Sequence, residues 1–272
     1  MTEQTIKVGI FDSGLGGLSV VRELRKQLPA QPMIYFGDQI HTPYGVRSLE
    51  EVRQLTTKAV QFLFGQGAQL IVIACNTASV ASLKSLRAQF PETPFVGMEP
   101  AVKPAAEQTH SKVVGVLATY ATFQSELYAS VVERFARDVK VLQSPCPGLV
   151  AEIEKGNLRG DETWKILHTA LDPMIAEGID TVVMGCTHYP FVIPLVKEIV
   201  GPDVVVIDPA PAIARRTEFL LKEHGWLNTE GGQADIVFYT SGNPRSLSDL
   251  LPELIGESGE VRQAVWQDGR LH

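Results

Sequence analysis

Val182–Pro190 reads VVMGCTHYP. An apolar run ends on a glycine and a cysteine, then turns at once to threonine and histidine. Ile71–Ser79, IVIACNTAS, has the same form: an apolar run, a small residue, Cys75, then Asn76 and Thr77. Short apolar runs bounded by polar turns read as strands buried on both faces of a parallel sheet. One cysteine at the end of such a strand is ordinary packing. Two, each closing its own run, suggest a pair.

Seven more runs lie outward from these two: KVGIF, MIYF, FVGM, VVGVLA, VKVL, VVVI and IVFY. Helix-period stretches alternate with them. Leu18, Val21, Leu24 and Leu28 form one stripe; Leu55, Ala59, Phe62 and Leu63 form another; Ala170, Met174, Ile175 and Ile179 form a third. This alternation predicts α/β architecture with mainly parallel sheets. Ligands of such sheets bind beyond the carboxyl ends of the strands.

The runs also echo one another. KVGIFDSG resembles VVGVLATY, with Gly9 against Gly115 and Ser13 against Thr119. IVIACNT resembles VVMGCTH, with Cys75 against Cys186. VGMEPAV resembles VVIDPAP, with Glu99 against Asp208. The separations are 106, 111 and 109 positions, in the same order along the chain. Generic likeness among buried strands accounts for the apolar parts but not for the matched cysteines or the two acid-Pro-Ala turns. A duplication is therefore expected. Two α/β lobes related by a pseudo-twofold axis would set Cys75 and Cys186 on opposite walls of one cleft.

The bulk properties fit that plan. The 272 residues are 44% hydrophobic, enough for two compact cores. A net charge of -7 argues against a general nucleic-acid binder. No apolar run approaches the roughly 20 residues of a membrane span. The start, MTEQTIKVGIFD, lacks the pattern of a signal peptide, so a cytoplasmic location is expected. Three cysteines at wide spacing argue against a disulfide framework, and no C-x-x-C suggests a structural metal site.

Like groups on two walls suit a reaction that treats two faces of a carbon alike. Inverting a centre that bears hydrogen needs one thiolate and one thiol at a time. A free thiol is only about 3% ionised at neutral pH, so its neighbours must assist. Asp12 and Ser13 end the first strand and are candidates to lie near Cys75. His188 follows Cys186 by two residues and is a candidate to tune it. Helix N-termini after both strands would favour a thiolate. Asn76, Thr77 and Thr187 offer polar groups at strand-to-helix turns. Tyr44 and Gly45, in HTPYGVRS, sit on a loop suited to a lid or an anion clamp.

Other residues take the plainer reading. Cys146, between prolines in SPCPGLV, is expected to be structural, and His41 and His168 to be surface or packing residues. Glu154 reads as an ordinary exposed helix acid. GLGGLS, Gly14–Ser19, with Asp38 after the second strand imitates a dinucleotide fingerprint, but its third glycine position is Ser19. Its glycines are expected to permit a tight turn and close approach of a small acid or of the other lobe.

With IFDSGLGGLSV, PYGVRS, ACNTAS and GCTHYP together, the chain resembles the cofactor-independent glutamate racemases from Lys7 to about Tyr239. The resemblance implies a first lobe of residues 1–98 and 208–272 and a second of 99–207, with crossings at Met98–Glu99 and Ile207–Asp208. It implies that Cys75 and Cys186 are the two acid/base residues, assisted by Asp12 and His188 respectively. Substrate contacts would come from Asp12, Ser13, Tyr44, Gly45, Asn76, Thr77, Thr187 and His188. Thr119 and Thr122 would belong to a carboxylate-binding segment. Glutamate would be the small-molecule substrate, D-glutamate for peptidoglycan the product, and neither pyridoxal phosphate nor a metal would be needed. A symmetric homodimer is the default assembly. Three rivals remain at this stage: aspartate racemisation on the same scaffold, a noncatalytic small-acid binder, and a cysteine hydrolase, which has no use for a second matched thiol.

Overall fold

The computed structural model describes residues 6–99 and 101–272. All nine expected strands form: β1 (Lys7–Asp12), β2 (Met33–Gly37), β3 (Ala68–Ile73), β4 (Phe95–Gly97), β5 (Val113–Leu117), β6 (Lys140–Ser144), β7 (Thr181–Met184), β8 (Val205–Ile207) and β9 (Ile236–Thr240). Three more follow that the apolar pattern did not announce: β10 (Glu260–Gln263), β11 (Trp266–Gln267) and β12 (Arg270–Leu271). Their side chains are exposed or half-buried, so they carry no apolar run.

The strands make two parallel sheets. The larger runs β10-β9-β2-β1-β3-β4 and the smaller β6-β5-β7-β8. The cores of the two orders are the same. β2-β1-β3-β4 in one corresponds to β6-β5-β7-β8 in the other, which pairs β1 with β5 and β3 with β7 as the sequence echo does. The antiparallel hairpin β11–β12 stands apart from both sheets.

Alternation explains how both faces are filled. Along β3, Leu70, Val72 and Ala74 enter the core shared by both sheets, while Ile71, Ile73 and Cys75 enter a second core on the other face. In β7, Val182 and Met184 join the shared core and Val183 faces a third.

Among the described residues, eleven α-helices cover these faces: α1 (Leu18–Gln27), α2 (Leu49–Gly65), α3 (Asn76–Gln89), α4 (Val102–Gln108), α5 (Tyr120–Phe123), α6 (Glu126–Phe135), α7 (Leu149–Glu154), α8 (Asp161–Ala176), α9 (Ile193–Val200), α10 (Ala210–Glu223) and α11 (Pro244–Ile255). Helix α2 starts on Ser48, whose hydroxyl accepts the Glu51 N–H at 3.2 Å, with Glu50 and Glu51 in the first turn. The stripes predicted for α1 and α2 face their cores, with Leu55 at the half-buried margin. The α8 stripe is corrected. Its core face is Leu167, Ala170, Leu171 and Met174, and Ile175 is exposed. One residue past Met174 is about 100° around the helix, which carries Ile175 off the face. Among the described residues no helix is long and apolar enough to cross a membrane.

Candidate active site

The two cysteines leave their sheets at equivalent points. The N–H of Ala74 donates to the Phe11 carbonyl at 2.7 Å, and the N–H of Gly185 donates to the Leu117 carbonyl at 2.7 Å. Each bond ties the residue before a cysteine to the central strand beside it. Cys75 and Cys186 are both buried, and both line one chamber. Ser13, Tyr44, Gly45, Asn76, Thr77, Thr187 and His188 line it too, with Pro43, Thr119 and Val150. The chamber is nearly shut, with a free volume of ≈ 20 Å³.

Asp12 is not a lining residue. It is fully buried, and its carboxylate accepts the Gly14 N–H at 2.8 Å and the Thr187 hydroxyl at 3.0 Å. Thr122 is also set back: its hydroxyl pairs with that of Thr119 at 3.1 Å, and Thr119 pairs in turn with Thr77 at 3.1 Å. Asn76 is buried with neither its amide oxygen nor its amide nitrogen bonded to the protein. Cys146 is buried in the shared core and does not reach the chamber; burial pushes its thiol up to about 12. His168 is paired at 2.9 Å with Asp172 on the exposed side of α8.

The glycines of GLGGLS admit the opposite wall. A methyl on Gly14 would collide with the Glu154 carboxylate, and one on Gly16 would collide with the His188 ring and come within 2.7 Å of the Thr187 hydroxyl. Their use is close approach, as expected, with no dinucleotide required.

Glu154 is the residue that sequence reasoning missed. It ends α7 with its side chain 15% exposed. One oxygen accepts from His188 Nε2 at 2.6 Å and from the Leu15 N–H at 2.6 Å; the other accepts the Gln39 amide at 3.0 Å. It therefore joins the Cys186 wall to the loops after β1 and β2. Nothing in the sequence distinguishes it from the other acids of its region, because its partners come from three distant segments.

The walls differ in what surrounds the sulfur. Cys75 caps α3: its Sγ accepts the Ala78 N–H at 3.4 Å and lies 3.6 Å from the Ser13 hydroxyl. No α-helix begins at Cys186, contrary to expectation. A tight turn, Tyr189–Val192, intervenes before α9, and Pro190 and Pro194 supply no N–H groups there. What Cys186 has is His188, with Nδ1 at 3.8 Å from its Sγ.

The electrostatics follow. Burial, and after it the Asp12 carboxylate, pushes the Cys75 thiol far above its ordinary range, against the Ala78 N–H and the Ser13 hydroxyl. Asp12 is itself raised by burial, which outweighs the pull of His188 and the Gly14 N–H. Burial drags His188 down, but its bonds to Cys186 and Glu154 win and hold it well above an ordinary imidazole. Burial pushes the Glu154 carboxyl up, but the His188 bond and charge, with the Leu15 N–H and the Gln39 amide, together hold it below its ordinary range. The arrangement thus favours a protonated thiol at one wall and an imidazolium beside the sulfur at the other.

Residues 13–217 match the model of the Asp/Glu/hydantoin racemase family, most of the chain. The chain belongs to that family. A glutamate racemase of Ectopseudomonas mendocina is 46% identical to it over 261 residues, 96% of this chain and 99% of that one. The fold agrees with two solved family members. Escherichia coli glutamate racemase, in complex with L-glutamate and the activator UDP-MurNAc-ala, superposes with a TM-score of 0.85 at 29% identity, covering 99% of this chain and 100% of that one. The Francisella tularensis glutamate racemase, in complex with D-glutamate, gives 0.82 at 28% identity, covering 97% and 98%. With these relatives the chain ranks among the glutamate racemases of its family.

Proposed function

We propose that the chain interconverts L- and D-glutamate by two-base proton transfer, with Cys75 serving one face of the α-carbon and Cys186 the other. The observation that carries this reading is the pair of thiols at equivalent strand ends, both lining one chamber. A racemase removes a proton from one face and supplies another to the opposite face, so it needs two carriers that exchange roles. Cys75, held as a thiol, is the donor in the resting state. Cys186, beside His188, is the acceptor, and His188 assists it. Asp12 assists Cys75, to which it is electrostatically coupled.

The buried, unpartnered amide of Asn76 supports a ligand with both donors and acceptors, as an amino acid has. Ser13, Thr77, Thr187 and Thr119 offer hydroxyls around it, and Tyr44 and Gly45 close the chamber. The two sheets are read as two lobes, residues 1–98 with 208–272 and residues 99–207. Supply of D-glutamate for peptidoglycan in the cytoplasm rests on the family resemblance.

The test is turnover of L-glutamate in heavy water, sampled early. The opposing thiol has exchanged with solvent, so the D-glutamate formed should carry deuterium at its α-carbon while the remaining L-glutamate stays mostly protonated. D-glutamate should give the mirror result. Product that keeps the original proton would point to a single carrier and sink the two-thiol reading.

A further inference from the structure

Asp12 and Asp38 are the two fully buried carboxylates among the described residues. Asp12 belongs to the site; Asp38, one residue past β2, has no part in the proton transfers. Removing a carboxylate from water is tolerated only where donors surround it. Asp38 has four. One oxygen accepts the Ser241 hydroxyl at 2.8 Å and Trp266 Nε1 at 2.8 Å; the other accepts the Tyr44 hydroxyl at 2.7 Å and faces His41 Nδ1 at 2.9 Å.

The donors come from separate parts of the chain. His41 and Tyr44 stand on the segment over the chamber, and Tyr44 and Gly45 line it beside Cys75. Ser241 follows β9. Trp266 belongs to the β11–β12 hairpin, outside residues 13–217. An isolated two-stranded hairpin is marginal on its own. This one turns on Asp268 and Gly269, both at positive φ, the backbone that a two-residue hairpin loop requires. Half-buried Trp266 anchors it twice, by its N–H on Asp38 and by its ring, edge-on to His41 at 5.2 Å.

We propose that Trp266 is a positioning residue. Through Asp38 it fixes the Tyr44–Gly45 segment over the chamber, so the C-terminal hairpin sets how tightly the substrate is held. The inference rests on the glutamate reading for its substrate, but the contacts that carry it do not involve the proton carriers.

The experiment compares the full chain with Trp266→Phe, which keeps a ring against His41 and removes the N–H. The readouts are KM and kcat for glutamate, and the rate at which iodoacetamide modifies Cys75, followed by peptide mass. The variant should raise KM by about tenfold, as the loss of one hydrogen bond to a charged group would, and leave kcat within about twofold. Cys75 should be modified several-fold faster. Trp266→Ala should exaggerate both. Combining Trp266→Phe with Tyr44→Phe should cost less than the product of the single effects, since both act on one carboxylate. An unchanged Cys75 modification rate in a folded Trp266→Phe protein would overturn the inference. So would a fall in kcat and melting temperature at constant KM, the mark of mere scaffolding. A parent chain that fails to racemise glutamate would count against the proposed function alone, because the modification rates still report on Trp266.

Discussion

The Cys75 wall and the Cys186 wall share a strand order, a backbone bond before the cysteine and a place in the chamber, yet their sulfurs have unlike company. Cys75 caps a helix and has a hydroxyl and a buried carboxylate nearby. Cys186 has no α-helix at its start and has instead a histidine backed by Glu154. A repeated fold supplies equivalent positions. It does not supply equivalent proton affinities, which depend on the few groups within reach of each sulfur. The difference suits the chemistry, because a proton carrier and a proton acceptor must coexist before the first transfer.

Removing either thiol tests whether the walls are equal partners. Cys75→Ala and Cys186→Ala should each reduce racemisation by about a thousandfold or more, within the range a positioned acid or base supplies, with the fold intact. Chiral chromatography of the product checks this, and retention of a tenth of the parent rate by either variant would break the pairing.

The next variant bears on the Cys186 wall, because glutamine removes the charge beside His188 but still offers an oxygen to the Leu15 N–H. Glu154→Gln should lower kcat on the order of tenfold to a hundredfold. Glu154 helps to hold His188 above its ordinary range, so the imidazolium of the parent persists to higher pH. In the variant His188 should lose its proton at lower pH, and the alkaline limb of the pH–rate profile should move acidward. The rate of Cys75 alkylation should not change. A limb that stays in place would detach Glu154 from the chemistry.

Asp180 sharpens the comparison by lying at the far end of β7 from Cys186. Burial pushes its carboxyl up, but the Thr109 hydroxyl at 2.6 Å, the His110 and Ser111 N–H groups at 2.6 and 2.7 Å and the Thr181 hydroxyl hold it well below the ordinary range. A value lower in the folded than in the unfolded chain stabilises above the unfolded value of about 3.9, and that contribution is lost as pH falls through the folded value. Asp180→Asn should therefore cost about 2 kcal/mol near neutrality, with the deficit closing in acid and turnover unaltered. Urea unfolding across pH measures it. The smallest effect belongs to Cys146→Ala: turnover within a few-fold and a packing loss of about 1 kcal/mol. A collapse of turnover in that variant would show that a third thiol serves the site.

The sequence made the walls legible but not their asymmetry. Short apolar runs between helical stretches let β1 to β9 be read, even where β6 and β8 are only half-buried, and the matched cysteines marked the ends of β3 and β7. Glu154 left no trace because it meets His188, Leu15 and Gln39 only once the lobes are packed. The helix expected at Cys186 is replaced by a turn in which Pro190 and Pro194 lack N–H groups, a feature that the apolar pattern did not weigh. Asp268-Gly269 is the loop of a hairpin that went unread, because the strands around it are too short and exposed for an apolar pattern. Asp38 was visible only as part of a false dinucleotide motif. Its role depends on Ser241 and Trp266, more than two hundred positions away.

The chamber itself bears on timing. Its ≈ 20 Å³ leaves room for one or two waters, not for a five-carbon amino acid. The Thr77–Thr119 bond joins two lining residues, and the Thr187–Asp12 and Leu15–Glu154 bonds join the loops around them, so the walls must part to admit a five-carbon acid. One opening would precede binding and another would precede release. Where such a movement limits the rate, turnover slows in glycerol-thickened buffer, and deuterium at the substrate α-carbon slows it little further. The pace of the enzyme then belongs to the bonds that close the chamber rather than to the sulfurs inside it.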